Sequence, residues 1–446
     1  MAASTAVIAV IIIGILVLQA SLGPSASGAG AASRTSSSST TSSTSKTSSS
    51  STTSTTSTTS SSSTTTSTSS TGPISQFAPI LVGPLQPYSA TYDPSNKLVY
   101  IAEANSPYFN NLEGITAING SDWTKTFPTC PGAENGPQSI AFDPANNYLY
   151  VTCVYPGNVA VFNPATGSLV TTVTAGSSPW NLAYDPASQD MYVSNYASNS
   201  VSVISSSTNN VVATLTQIEQ PTFIVYSPAN SDLYVVNSAY PYGITVVNGV
   251  TNAVISTIQG EAGNLIYDPA NQGVYASVVA FVSGTQTAEV YAINTSDQVA
   301  ATIVVSGIGF PATDSGGSLV FDSGNNNVFV GTDPGTTGPN VVTEISSSTN
   351  KVIGSVNIPA DCIQGGCYDL TDLTYDSANQ DIYISGPGQY VYIVSSSLSV
   401  IQTIPLTIIA SSSTSDFPAF SIFDPANNEV FVLCDNYAEI VIPLSS

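Results

Sequence analysis

The feature that most constrains this chain is a turn that recurs eight times. An aromatic residue is followed by Asp or Ser, usually Pro, a small residue and Asn, and then by a short apolar run. The copies begin at Tyr92, Phe142, Tyr184, Tyr226, Tyr267, Phe321, Tyr375 and Phe423, at intervals of 50, 42, 42, 41, 54, 54 and 48 residues. Asp at the first turn position accepts a backbone N–H and Pro presets φ at the second, so each copy marks a tight turn between two strands. Repeats of about 40–50 residues built only of short strands predict a β-propeller with one blade per repeat.

The unit around Tyr184 reads as four strands: 179–184, 191–195, 201–204 and 211–215, with turns at 185–188 and 205–210. A proline precedes the aromatic by five residues at Pro87, Pro137, Pro179, Pro221 and Pro418. Strands such as Tyr148-Leu149-Tyr150-Val151 are apolar on both faces, as expected of a sheet packed between two neighbours. The first hairpin occurs eight times and the second seven times, since the last unit ends after Glu439-Ile440-Val441-Ile442. Pro79-Ile80-Leu81-Val82 is a spare strand ahead of the first unit, and pairing it with the last sheet closes a ring without exposed sheet edges. The expectation is an all-β, eight-bladed propeller over 77–446, or a seven-bladed one if an irregular unit near 276–345 is incomplete.

Tyr150-Val151-Thr152-Cys153, Tyr192-Val193-Ser194-Asn195 and Tyr234-Val235-Val236-Asn237 resemble the Tyr-Val-Thr-Asn signature of the YVTN propeller family. The resemblance covers roughly residues 77–446. It implies kinship with archaeal and bacterial surface-layer and cell-surface proteins, commonly seven-bladed, so eight motif copies depart from the pattern. The motif speaks to fold; propellers host many functions.

Composition excludes several roles. The 28 acidic residues all lie beyond residue 77, where only Lys97, Lys125 and Lys351 oppose them, a formal charge of −25 (3 minus 28). Nucleic acid is therefore not a partner, because phosphate contacts need clustered Lys and Arg. Charged residues make up only 7% of the chain, and a surface rich in Ser, Thr, Asn and Gln suits an external, acidic medium in which carboxylates are largely neutral. With no histidine, Ser-His-Asp chemistry and His-ligated metals are excluded, and neither a cofactor nor a metal is expected.

Ahead of the repeats, residues 1–22 are apolar, with an almost unbroken run from Ala6 to Leu18. One reading is a cleaved signal peptide with small-residue sites such as Ala29-Gly30-Ala31; the other is a retained anchor helix, resembling the hydrophobic N-terminal helix of archaeal pilins. The anchor is preferred, and both readings export the chain. Residues 35–71 are Ser and Thr apart from Lys46, so the segment 23–76 reads as a stalk or linker, glycosylated on its hydroxyls.

Five cysteines suit an exported protein. Cys362 and Cys367 bracket a short loop that a disulfide can close; Cys130 and Cys153 fall on one rim and form a second candidate pair, with Cys434 left over; the alternative is five thiols. Sequons at Asn119-Gly120-Ser121 and Asn294-Thr295-Ser296 share one turn position, and are either N-glycosylation sites or chance triplets. The repeated aspartates belong to turns. Asp361, Asp369 and Asp372 stand outside the motif but lack calcium-loop spacing. The functional lead is aromatic: connections between second and third strands carry Tyr108, Tyr155, Tyr196, Tyr240, Tyr242 and Tyr437, on the face that also holds the blade-to-blade connections. Rigid amphipathic tyrosines there suit sugar or protein binding, or cap the blade edges.

These features together predict a non-catalytic protein of the extracellular cell surface, anchored in the membrane through its N-terminal helix. It would serve adhesion or envelope structure, with a cell-envelope glycan or surface protein as partner. Two alternatives stand beside it: a homo-oligomeric filament assembled through the N-terminal helix, and a propeller-type hydrolase or lactonase.

Overall fold

The computed structural model describes residues 86–104, 114–119, 122–128, 130, 136–307, 309, 319–332, 339–359, 362–363, 366–367, 370, 372–386, 390–405, 418–434 and 439–443. All belong to the unit Gly72–Ser446. The described residues form an all-β propeller with seven four-stranded antiparallel blades and no helix. The blades span 86–128, 137–174, 179–216, 221–259, 261–304, 319–358 and 372–405. A three-stranded sheet follows, Pro418–Asp424, Glu429–Cys434 and Glu439–Pro443. The apolar N-terminal segment, the Ser/Thr-rich stretch and residues 79–82 lie outside the described residues.

Two turns that end in a left-handed residue bend the blades, the second of them described in blades 2 to 7. In the first turn this residue stands four after the Asp or Ser in all eight copies: Lys97, Asn147, Gln189, Ser231, Gln272, Asn326, Gln380 and Asn428, with φ from 53° to 64°. The Asp side chain holds the turn by accepting the backbone N–H two residues on, at 2.8 Å for Asp143 and Ala145 and 2.7 Å for Asp185 and Ala187. In the turn between third and fourth strands the left-handed residue is Gly167, Asn209, Asn252, Asp297, Asn350 or Leu398. Asn and Asp enter this conformation at low cost, so a repeat that needs it twice per blade is rich in them.

Second and third strands are buried on both faces, and one apolar cluster fills each gap between consecutive sheets. Tyr100, Leu149 and Phe162 lie between blades 1 and 2, and Tyr192, Val203 and Leu233 between blades 3 and 4. The three-stranded sheet packs on blade 7 through Tyr383, Val430 and Val432, and on blade 1 through Val99, Ile101, Phe420 and Phe431. Burying one such side chain contributes about 1.5–3 kcal/mol. The core is thus a circle of separate interfaces, which lets the chain exceed the size of a single hydrophobic core.

Two hydrogen-bond patterns join the blades. The first strand is bulged after its proline, as where Pro137 pairs with Cys153 but Ile140 with Val151. The N–H freed by the bulge finds a hydroxyl on the second strand: Ser139 N to Thr152 Oγ1 at 2.8 Å, Asn181 N to Ser194 Oγ at 2.9 Å, and Asn264 N to Ser277 Oγ at 2.8 Å. Thr152 and Ser194 also donate onward to the next blade, to Trp180 O and Thr222 O at 3.2 and 2.6 Å. A hydroxyl in the third position of the Tyr-Val-Thr-Asn stretch therefore serves its own blade and the following one.

The second pattern explains the tyrosine. Its hydroxyl leaves the second strand of one blade and meets the left-handed residue in the last turn of the next: Tyr150 with Asn209 at 2.5 Å, Tyr192 with Asn252 at 2.6 Å, Tyr234 with Asp297 at 2.7 Å, and Tyr275 with Asn350. Where that residue is Gly167, Tyr100 turns to the carbonyl of Pro164 at 3.5 Å. Where the tyrosine is replaced by Phe329, the left-handed residue is Leu398, and both join one apolar cluster. Burial pushes the hydroxyls of Tyr100 and Tyr275 up to about 12, so they remain donors at ordinary pH.

The fourth strands form the outer rim. All are bulged in the same register, and the bulge residue is an exposed aliphatic at Val170, Val212, Ile255, Ile353 and Ile401. A bulge twists an edge strand away from further pairing, which protects a rim with few charges.

Candidate functional site

The connections between second and third strands open on the same face as those leading from blade to blade, and between blades 2 and 5 hydrogen bonds and close packing join them in alternation. The loop of Tyr155 packs on the connection into blade 3. Gly157 has φ +89°, and a Cβ there would stand 2.6 Å from the carbonyl oxygen of Gly176, so glycine alone fits. That connection holds the next loop, with Tyr196 N donating to Ser178 O at 2.9 Å and Ser177 N to Ser198 Oγ at 3.1 Å. Gln220 N donates to Asn199 Oδ1 at 2.9 Å, Ser238 Oγ to Gln220 O at 2.7 Å, and Gly260 N to Tyr242 O at 3.4 Å.

Aromatic rings stand on this framework. Tyr155 is 42% exposed. Trp180 and Tyr196, both half-buried, form a tilted pair with centroids 5.6 Å apart. Tyr240, 85% exposed, meets Tyr242 edge to face at 6.5 Å. Tyr155, Tyr196, Tyr240 and Tyr242 thus all lie on one face, while Tyr108 and Tyr437 lie outside the described residues. Trp180 reads in the sequence as part of a first strand. Its place as the first residue after the proline, at the mouth of that strand, was the available signal.

Blade 5 adds a projection. Its second strand, Gly273–Val282, is 10 residues long where those of blades 2, 3 and 4 have six. The pairing continues past Val279–Ala288 to Val282–Thr285, and the turn Ser283-Gly284 has positive φ at both residues. The extra four residues carry the hairpin roughly 13 Å beyond its neighbours. Phe281 and Val282 stand exposed near the tip, the former at 62%. Glu261 lies opposite Val279 at the base, its carboxyl raised above the usual range by burial. The sequence signal was the 54-residue interval, with the apolar run 278–282 ending at Ser283-Gly284.

No lysine or arginine belongs to this face in blades 2 to 5. Lys97 lies in a first turn and Lys351 opens a fourth strand, both at the opposite end of their blades. Acidic residues here, Glu219 and Glu261, leave the surface negative.

The remaining candidates fall elsewhere. Cys130 and Cys153 form a disulfide that ties the connection entering blade 2 to the end of its second strand. Cys362 and Cys367 are direct partners across a two-stranded hairpin, and their side chains lie outside the described set. Cys434, buried, holds the position equivalent to Cys153. Asn294 sits in an exposed turn, its Oδ1 accepting the N–H groups of Ser296 and Gln298 at 3.0 and 3.1 Å; the side chain of Asn119 is outside the described set. Of the three aspartates outside the motif, Asp361 and Asp369 are not described, and Asp372 is buried between sheets. There it accepts Ser421 N at 2.7 Å and Ser421 Oγ at 3.3 Å, while burial raises its carboxyl to about 7. Asn181 makes the same bond with an amide, from Ile224 N at 3.2 Å, so Asp372 is a seam residue. Among the described residues no three Cys, Asp or Glu groups converge to hold a metal ion.

No protein-family model matches the chain, and no curated protein matches its sequence. Solved structures match in fold. The Dos1 propeller superposes with a TM-score of 0.60 at 11% identity, covering 82% of this chain and 94% of that one. The C-terminal WD40 domain of Sif2 gives 0.59 at 11%, with 82% and 99% covered. Saccharomyces cerevisiae Sqt1 gives 0.59 at 12%, with 82% and 98% covered. At such identities the likeness concerns the fold alone.

Proposed function

We propose that this chain is a non-catalytic protein of the extracellular cell surface, whose propeller presents the aromatic face described above to a cell-envelope glycan or surface protein. The observation that carries this reading is the row of rings from Tyr155 to Tyr242, held on loops that are tied to one another across blades. A rigid surface of Tyr and Trp gives contact area at little cost in conformational entropy. The apolar segment 1–22 anchors the protein in a membrane, and the Ser/Thr-rich segment 23–76 is the glycosylated stalk that carries the ring away from it. The Tyr-Val-Thr-Asn stretches make it a YVTN-type surface protein. The three-stranded sheet is an eighth blade, completed by residues 79–82 alongside Glu439–Pro443.

The test is direct. Full-length protein and its Tyr196→Ala and Tyr240→Ala variants are incubated with isolated cell envelopes, and bound protein is measured after washing, with thermal melts as the folding control. The expected result is retention of the parent and loss of at least most binding in both variants. Equal retention of folded variants, or failure of surface protease to reach the protein on intact cells, contradicts the reading.

A further inference from the structure

We infer that the face spanning blades 2 to 5 binds a neutral polysaccharide, with sugar rings stacked on the Trp180–Tyr196 and Tyr240–Tyr242 pairs and the chain bounded by the blade 5 hairpin. This rests on the reading of that face as a binding surface and names its ligand class. Charge argues first. With no cation on the face and with Glu219 and Glu261 present, a uronate, sialylated or phosphorylated glycan would meet like charge and no counter-charge. Chemistry argues second. The rings occur as two pairs with polar residues in the turns between them, unlike the contiguous apolar patch that forms the core of a protein interface. Pyranose rings present an apolar C–H face at each residue and hydroxyls at the rim, which matches aromatic islands alternating with amides, hydroxyls and carboxylates. Between the pairs stand Asn199, whose Oδ1 holds the Gln220 backbone N–H, and the partly exposed Gln220, and the carboxylates accept sugar O–H donors. Preorganisation argues third, because the loops are already fixed by the bonds that join them, so a flexible sugar chain meets a surface that has no ordering cost of its own.

The chain has two tryptophans, and Trp123→Phe leaves Trp180 as the reporter inside the site. The full-length Trp123→Phe protein is titrated with dextran, mannan, galactan and cello-oligosaccharides, with polygalacturonate and a Lys-rich peptide as charged comparisons. Calorimetry on the unsubstituted chain checks that the reporter substitution is silent. The expected result is a saturable change in Trp180 emission with at least one neutral polysaccharide and none with polygalacturonate. Tyr196→Ala or Tyr240→Ala should raise its dissociation constant at least tenfold without moving the melting temperature. Absence of binding by every neutral polysaccharide overturns the inference. Binding of the Lys-rich peptide alone, lost in Tyr240→Ala, also overturns it while leaving the face as a binding surface. Binding that ignores both substitutions overturns the inference and the surface reading together.

Discussion

At the scale of single residues, the tyrosine of the Tyr-Val-Thr-Asn stretch and the left-handed residue of the next blade behave as a pair. Tyr meets Asn or Asp at four interfaces, and Phe329 and Leu398 share one apolar cluster at a fifth. The partners stand 59 residues apart for Tyr150 and Asn209, beyond what spacing within one repeat reveals. The sequence therefore showed the tyrosine as a repeated position without its purpose, whereas the Asp turns were legible because donor and acceptor are two residues apart. Tyr150→Phe leaves Asn209 Oδ1 without its hydroxyl donor and is expected to cost about 1–2 kcal/mol in urea denaturation. Phe329→Tyr and Leu398→Asn are each expected to destabilise, and together to recover about 1 kcal/mol relative to the sum. Additive effects in that cycle would show that the two positions do not act as a pair.

At the scale of elements, the four strands predicted around Tyr184 are those observed, each extended by a residue or so: Pro179–Asp185, Asp190–Asn195, Ser200–Ser205 and Asn210–Thr216. The blade 5 hairpin was not read, because the apolar run that leaves the sheet at 280–282 continues the apolar run inside it and only the interval lengthens. Joining Val279 to Ala288 through Asn-Gly removes three strand pairs, from Ala280–Thr287 to Val282–Thr285. Those side chains are largely exposed, so the melting temperature should stay within about 2 °C, while envelope binding falls. Unchanged binding would remove the hairpin from the site. The Cys130–Cys153 bond, closing a separation of 23 residues, should contribute about 3 kcal/mol. Reduction is expected to lower the denaturation midpoint, and identical curves with and without reductant would contradict this.

The whole molecule carries a charge of −23 at neutral pH, and every carboxylate whose shift is resolved among the described residues lies above its ordinary value. Burial is the first cause in each, and at Asp372 it outweighs the hydrogen bonds from Ser421. A carboxylate raised in the folded state holds its proton where the unfolded chain has lost it. Its contribution is complete below the unfolded value near 4 and is lost as pH rises through the folded value, near 7 for Asp372. The melting temperature is therefore expected to be higher at pH 4.5 than at pH 8, opposite to a protein held by salt bridges, and Asp372→Asn should flatten the slope. A melting temperature that climbs toward pH 8 would refute this.

The aromatic face stays in register only if the ring is closed, since the blades that carry it, 2 to 5, are packed by neighbours on both sides. Closure is most directly tested by two truncations, one lacking residues 1–76 and one lacking residues 1–84, melted beside the full chain. The first is expected to melt with the full chain and the second, deprived of residues 79–82, at least several degrees lower. Coincident melting of all three would contradict it.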